Sequence, residues 1–145
     1  MNILYVDHVG GLSGDMFVSA LVDVAGGDTA FLRSLPLPEE VRSSVRFPHV
    51  LKNHIGARRL TMREPHMELG YAEIRSRIAR ARFSESVRRR VAAVVQIMAE
   101  VEARIHRMPL RDFHFHDCAD LLVEVFGVFS LLERLGVERV CSSPL

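Results

Sequence analysis

Hydrophobic and polar positions recur along the chain with two different periods, which divide it into strands and helices. Residues 2–7 form a short apolar run before a glycine-rich loop, which predicts a buried, central strand. Residues 16–26 carry apolar side chains three and four positions apart, which predicts a helix that ends at Gly26 and Gly27. The chain is therefore predicted to begin with a strand, a glycine loop and a helix.

The middle of the chain combines a hairpin with two helices. Residues 41–63 alternate between apolar and polar, and the polar stretch near Asn53 predicts a turn between two antiparallel strands. Residues 70–82 and 84–107 have helical periodicity, and Ser84 is a suitable N-cap. The apolar face predicted for the second helix has a regular four-three spacing and consists of Val87, Val91, Val94, Met98, Val101 and Ile105.

The last part of the chain predicts one more helix and one more strand. Residues 119–136 form the helix and close at Gly136, and an extended segment follows. Phe126 and Phe129 enlarge an already full apolar face, so part of this helix is predicted to be exposed and to contact another segment or subunit. The order of elements predicts an α+β fold, a split βαβ (ferredoxin-like) mixed sheet with helices packed on one face.

Length and charge narrow the possible classes of protein. The 145 residues fit one domain, residues 1–145, and 19 basic against 18 acidic side chains give a net charge of +1. This balance indicates neither nucleic acid nor an anionic membrane as a partner. The sequence has only two cysteines, Cys118 and Cys141, and no apolar leader. Its apolar runs are far shorter than the roughly 20 residues of a membrane span. These features predict a cytoplasmic protein.

The segment FHFHD contains the strongest candidate for metal chemistry. In an extended segment His114 and His116 share one face, while Phe113 and Phe115 point to the other. Two imidazoles on one face can bind zinc, copper, iron or nickel, and Asp117 or a distant carboxylate could complete the ligands or orient a ring. The alternative is a pair of solvated histidines at the end of an edge strand.

The segment DHVGGLSGDM, residues 7–16, is a second candidate site. A strand end, a glycine loop and a helix N-terminus together can hold a phosphate or a carboxylate. Its candidate ligands are Gly11, Ser13, Gly14 and Asp15. The alternative is an ordinary turn with Ser13 or Asp15 as the helix cap, although Asp7 and His8 stand where ligands usually occur in folds of strands and helices.

Three further groups of residues have simpler explanations. His66 and Glu68 lie in a connection that is predicted to be mobile and solvated. The arginines between residues 75 and 90 could bind phosphate, or form the charged outer face of two helices. Glu102 and His106 are four residues apart near a helix end, where a structural role suffices.

Several motifs together resemble one family. The segments ILYVDHVGGLSGDMFVSALVDVAG, VLKNHIGARRL, VEARIHRMPLRDFHFHD and LGVERVCSSPL are similar, in this order, to the N-terminal part of the LarC nickel-insertion proteins. The similarity covers nearly the whole chain. It implies a protein that loads nickel into a pyridinium dithiocarboxylate mononucleotide, with hydrolysis of CTP, to give the nickel-pincer nucleotide cofactor.

The resemblance also implies a set of site residues. The implied metal ligands are Asp7, His8, His66, His114, His116 and Asp117, and the glycine loop would hold the phosphate of the mononucleotide. His8 stands where relatives usually have cysteine, and Asp117 where they have glutamate. Relatives continue beyond the final SSPL into a C-terminal domain, so CTP with Mg or Mn is expected only if a C-terminal LarC-type partner is supplied. A homo-oligomer is the other expected assembly.

Two other functions are open at this stage. The chain could be a truncated, non-catalytic module of the same family that binds a metal or a partner. It could also be a metal-dependent phosphoester hydrolase, although the dense carboxylate cluster of two-metal sites is missing. The sequence contains no convincing Ser-His-Asp or Cys-His arrangement, and metal transfer to a nucleotide needs no general base.

Overall fold

The computed structural model describes residues 1–63 and 66–144. The strands are β1 (Ile3–Val6), β2 (His49–Lys52), β3 (Ile55–Arg58), β4 (Leu69–Gly70), β5 (His114–Phe115) and β6 (Arg139–Ser142). The helices are α1 (Gly14–Val24), α2 (Glu39–Arg42), α3 (Tyr71–Arg80), α4 (Glu85–Ile105) and α5 (Ala119–Arg134), with 3-10 turns at Ala30–Arg33 and Leu110–Asp112. Helices combined with parallel and antiparallel strands confirm the predicted α+β class.

The strands of the described residues form three separate two-stranded sheets. β1 pairs with β6 in parallel, whereas β2 with β3 and β4 with β5 are antiparallel. The single mixed sheet of a ferredoxin-like arrangement is therefore not observed, because strands of two to four residues each reach only one neighbour. The prediction of a central first strand is also wrong, since Ile3 and Tyr5 are 51% and 62% exposed.

Helix α5 is the centre of the core. Phe126 is completely buried and its ring meets Phe83 edge-on, with the centroids 5.8 Å apart. The predicted exposure of this helix is wrong, because α1 and α4 pack against it from different sides. Gly127 allows the close approach of α1: a β-carbon there would lie 3.1 Å from both Phe31 and Val18.

Helix α4 buries a different face from the one predicted. Its first two buried residues, Val87 and Val91, are as expected, but the buried face then continues through Val95, Ala99 and Ala103. Alanine lets neighbouring helices approach closely, so this stripe meets the core. The alternative stripe, defined here as the α4 outer stripe, remains exposed and contains Met98, Val101 and Ile105.

The local signals for turns and caps are confirmed in most places. Asn53 and His54 both have positive φ, 50° and 65°, in the turn that joins β2 to β3, as expected of a two-residue hairpin. The Ser84 side chain accepts a hydrogen bond from the Val87 amide at 3.1 Å and caps α4. The start of the predicted hairpin is instead helical, since residues 39–42 form α2. Among the described helices, none is long and apolar enough to cross a membrane.

Candidate metal centre

The pairing of β4 with β5 joins two distant parts of the chain at the predicted metal site. Gly70 faces His114 and Leu69 faces Phe115, so the antiparallel register places Glu68 beside His116. Nδ1 of His116 lies 2.8 Å from Oε1 of Glu68. A carboxylate thus orients one of the two predicted histidine ligands.

The alternation predicted for FHFHD is confirmed. Phe113 and Phe115 are buried, with ring centroids 4.8 Å apart in an edge-to-face arrangement, and they attach the segment to the core. His114 and His116 are exposed on the other face. The hydrophobic rings therefore fix the direction in which the imidazoles point.

A third histidine reaches the same place from the preceding connection. Nδ1 of His66 lies 2.7 Å from Oδ1 of Asp117, and its Nε2 is 3.6 Å from Oε1 of Glu68. Asp117 has a left-handed backbone, φ 47°, a conformation that aspartate tolerates better than most residues. The amide of Cys118 donates to the Met67 carbonyl at 3.1 Å and holds the two segments together.

The hydrogen bonds of the three histidines leave the same ring nitrogen available. Nδ1 of His114 lies 2.9 Å from the carbonyl oxygen of Asp112, and Nδ1 of His66 and His116 faces a carboxylate. Oxygen accepts in each case, so Nδ1 carries the proton and Nε2 keeps its lone pair in the neutral ring. Metal-binding histidines usually have this arrangement, with the second nitrogen bonded to an oxygen that orients the ring.

Two clefts, each of about 340 Å³, meet at His116. The first, which we call the histidine cleft, is lined by Glu68, His106, Met108, Asp112, Phe113, His114 and His116. The second contains His116 and Asp117 together with Asp120 and Glu124 near the start of α5. Small ligands can therefore approach the His116 ring from two directions.

The side chains of the histidine cleft are not already arranged around an ion. Within residues 1–63 and 66–144, no three His, Cys, Asp or Glu side chains are positioned to hold a metal. Glu68, His66 and His116 instead hydrogen bond to one another or to Asp117. His66 and His116 are largely exposed, so solvent rather than packing surrounds their rings.

Asp7 and His8 belong to a different part of the molecule. They line a cleft of about 320 Å³ between β1 and α1, together with Gly11 and Met16. Nε2 of His8 lies 3.0 Å from the Ser143 carbonyl oxygen, so this nitrogen donates a hydrogen bond and Nδ1 keeps the lone pair. The cleft of Asp7 and His8 shares none of the histidines at residues 66, 114 and 116.

The glycine loop leads into α1 as predicted, but its capping is different. Ser13 is at the N-cap position and makes no capping hydrogen bond; its hydroxyl donates to the Asp15 carboxylate. A β-carbon on Gly14 would lie 2.0 Å from Oε2 of Glu124, so this carboxylate lies at the N-terminus of α1. The Glu124 carboxylate thus lies near the place predicted for a phosphate. The helix dipole favours a negative group at this end of α1, whether carboxylate or phosphate.

Glu68 and His106 are not among the ligands that the sequence predicts. The sequence favours a solvated Glu68 and a structural His106, but both line the histidine cleft. The spacing of His66 and Glu68 repeats the two-residue spacing of His114 and His116. This repetition in two extended segments was the available signal that the two pairs face each other.

Cys118 does not serve as a ready thiolate ligand. Its side chain is 1% exposed and its thiol donates to the Met67 carbonyl at 3.3 Å. Burial raises the pKa of this thiol above its ordinary value. The donors that line the histidine cleft are therefore imidazole nitrogen, carboxylate oxygen and the thioether sulfur of Met108. Imidazole and carboxylate suit divalent ions such as zinc and nickel.

Exposed histidines oriented by oxygen acceptors, on a rigid α+β framework, define a candidate metal-handling domain. Comparison with known proteins makes the class specific: the family model described as "Nickel insertion protein" matches residues 4–145. The chain belongs to this family. No solved structure matches it significantly.

Curated relatives cover the whole of this chain. A protein from Staphylococcus saprophyticus, named pyridinium-3,5-bisthiocarboxylic acid mononucleotide nickel insertion protein, is 34% identical over 99% of the chain and 38% of its own length. The protein of the same name from Geobacillus kaustophilus is 28% identical over 100% and 39%. A putative nickel insertion protein from Wolinella succinogenes is 34% identical over 100% and 38%. The chain thus spans about 38% of the length of these relatives.

Proposed function

We propose that this chain binds a nickel ion through His66, His114 and His116 and presents it to a pyridinium-3,5-bisthiocarboxylic acid mononucleotide. The names of the relatives support the cargo and the acceptor. The observation that carries the proposal is the hydrogen bonding that the three rings share, each with Nδ1 bonded to an oxygen acceptor. In each neutral ring Nε2 then keeps the lone pair that can bind the ion.

Glu68 and Asp117 orient the imidazoles in this proposal. Glu68 accepts from Nδ1 of His116 and Asp117 from Nδ1 of His66, which directs Nε2 of each ring toward a cation. Asp7 and His8 line a different cleft, so we assign them no part in this first nickel site. His106 lines the same cleft as His114 and is a further nitrogen donor there.

Transfer of nickel is a ligand exchange in this proposal. The thiocarboxylic acids first release their protons. The resulting thiocarboxylate sulfur then replaces imidazole nitrogen on the ion. Nickel remains divalent, so no oxidant or reductant is needed. Sulfur is a softer donor than the nitrogen and oxygen atoms of the cleft, and a weakly organised protein site favours release of the ion to it.

Four features stay predictions from the resemblance and the composition. They are the use of CTP with Mg or Mn, a C-terminal partner, a homo-oligomer and a cytoplasmic location. The same holds for phosphate binding at Gly11, Ser13, Gly14 and Asp15. A non-catalytic module that binds a metal or a partner is the alternative function.

Nickel titration calorimetry on the metal-free protein tests the first part of the proposal. The double variant His114→Ala/His116→Ala is compared with His49→Ala/His54→Asn, which changes one exposed histidine at the start of β2 and one in the β2–β3 turn. We expect nickel affinity to fall by about tenfold or more in the first variant. The control variant is expected to bind like the wild type, and equal losses in both variants would refute the site.

A second experiment separates transfer from storage. The protein is loaded with one equivalent of nickel and mixed with pyridine-3,5-bisthiocarboxylate, and nickel–sulfur absorption is followed over time. Transfer faster than from an equal amount of nickel–histidine complex supports insertion. Retention of nickel by the protein supports the non-catalytic module.

A further inference from the structure

An arginine-lined cleft of about 500 Å³ lies between α3 and the loop that follows the first 3-10 turn. We call it the arginine cleft, and its cationic lining residues are Arg33, Arg77, Arg80 and Arg82. Its only acidic lining residue is Glu73, which pairs with Arg77 at 2.9 Å. Three of the four positive charges are therefore not compensated by a carboxylate that lines the cleft.

The direction of the cationic side chains follows from the helix. Glu73, Arg77 and Arg80 are four and three residues apart, so they share one face of α3. The opposite face is buried through Ile74 and Ile78, which fixes the rotation of the helix. Within the described residues, Arg33, Arg80 and Arg82 make no ion pair.

Two other arginines hold the walls of the arginine cleft. Arg42 donates to the carbonyl oxygens of Leu35 and Leu37, at 3.1 and 2.9 Å, from behind the loop. Arg88 donates to the carbonyl oxygen of Ala81 at 3.3 Å, at the end of α3. These contacts fix the loop of Leu35 and Leu37 and the end of α3, which are the two walls of the cleft.

We propose that the arginine cleft binds the phosphate group of a small phosphorylated molecule. Guanidinium groups are permanently charged and offer paired N–H donors that match phosphate oxygens. Two sources of this phosphate are chemically equivalent at the cleft: the mononucleotide and a nucleoside triphosphate. The first source rests on the proposed function, whereas binding of a phosphate as such does not.

The helix connects the arginine cleft to the histidine cleft. α3 begins directly after Gly70, which pairs with His114, and a helix advances 1.5 Å per residue. Arg77 is therefore roughly 10 Å along the helix from the β4–β5 pair. The arginine cleft and the β4–β5 pair therefore lie toward opposite ends of α3.

Calorimetric titrations with three probes test this proposal. The probes are inorganic pyrophosphate, CTP and nicotinic acid mononucleotide, at a fixed ionic strength of about 0.15 M because screening weakens such contacts. Arg80→Gln/Arg82→Gln removes two unpaired charges from the cleft. Arg89→Gln/Arg90→Gln removes two exposed charges from α4 outside it and serves as the matched control.

The expected result is about a tenfold loss of affinity for at least one probe in the cleft variant, with the control close to wild type. Loss for nicotinic acid mononucleotide identifies the mononucleotide as the source. Loss confined to pyrophosphate and CTP identifies a triphosphate. Equal losses in both variants, or no binding of any probe to the wild type, would overturn the proposal. Nickel titration of the same variants reports separately on the histidine cleft.

Discussion

Glu68 accepts a hydrogen bond from Nδ1 of His116 at 2.8 Å, between residues 48 positions apart in the chain. The same carboxylate lies 3.6 Å from Nε2 of His66. One acidic side chain thereby relates two histidines that come from different extended segments. The antiparallel pairing of β4 with β5 is what places it there.

Replacement of Glu68 is predicted to weaken nickel binding without unfolding the protein. Glu68→Ala removes both the charge and the acceptor that orient His116, so affinity should fall by about tenfold or more, and Glu68→Gln should fall between Ala and wild type. Calorimetric nickel titration of the wild type and both variants measures the three affinities. Glu40→Ala, an exposed carboxylate on α2, is the control. Wild-type affinity in Glu68→Ala would show that the carboxylate does not orient a ligand.

The left-handed backbone at Asp117 allows its conformational role to be separated from its charge. Asp117→Gly and Asp117→Ala both lose the contact with His66, but only alanine resists a φ of 47°. Asp117→Ala should be less stable than Asp117→Gly by about 1 kcal/mol. Urea denaturation measures this difference, and calorimetry should show the same loss of nickel affinity in both. Equal stability would contradict the conformational role.

Removal of the Phe126 ring is predicted to destabilise the core. Phe126 is fully buried in α5 against Phe83, so Phe126→Ala leaves a cavity and should lower the free energy of unfolding by about 3–5 kcal/mol. Ile97→Ala, at a residue 61% exposed on α4, should change it by less than about 0.5 kcal/mol. Denaturant melts of both variants provide the comparison. A small change at Phe126 would mean that α5 is not the centre of the core.

The buried thiol of Cys118 predicts a loss of stability at alkaline pH. Burial raises the pKa of Cys118 in the folded state above its model-compound value of 9.0, so the unfolded chain loses this proton first. The contribution is fully present below pH 9.0 and decreases as the pH rises toward the folded-state pKa. The alkaline decrease should be smaller in Cys118→Ala than in wild type. Denaturation between pH 7 and 10.5 tests this, with Cys141→Ala as control.

The sequence predicts correctly those features that depend on a few neighbouring residues. The cap at Ser84, the turn at Asn53 and the alternation of FHFHD depend on a few adjacent residues, and all are confirmed. The buried face of α4 could not be chosen in this way. Both of its apolar stripes have helical spacing, and only the fit of Ala99 and Ala103 against neighbouring helices decides between them.

The composition of the candidate site depended on contacts that no local pattern contains. Among the metal ligands implied by the resemblance, Asp7 and His8 line one cleft, whereas His114 and His116 line another. Strand pairing separates them, because β1 joins β6 while β5 joins β4. The same pairing adds Glu68, whose role becomes visible only opposite His116.

The missing side chain at Gly127 connects the core with the glycine loop. A methyl group at this position would lie 3.1 Å from both Phe31 and Val18, so Val18 would have to give way by a few tenths of an ångström. Val18 is four residues along α1 from Gly14, and Gly127 is three residues along α5 from Glu124. The bare backbone at Gly127 therefore helps to set how closely the start of α1 approaches the Glu124 carboxylate.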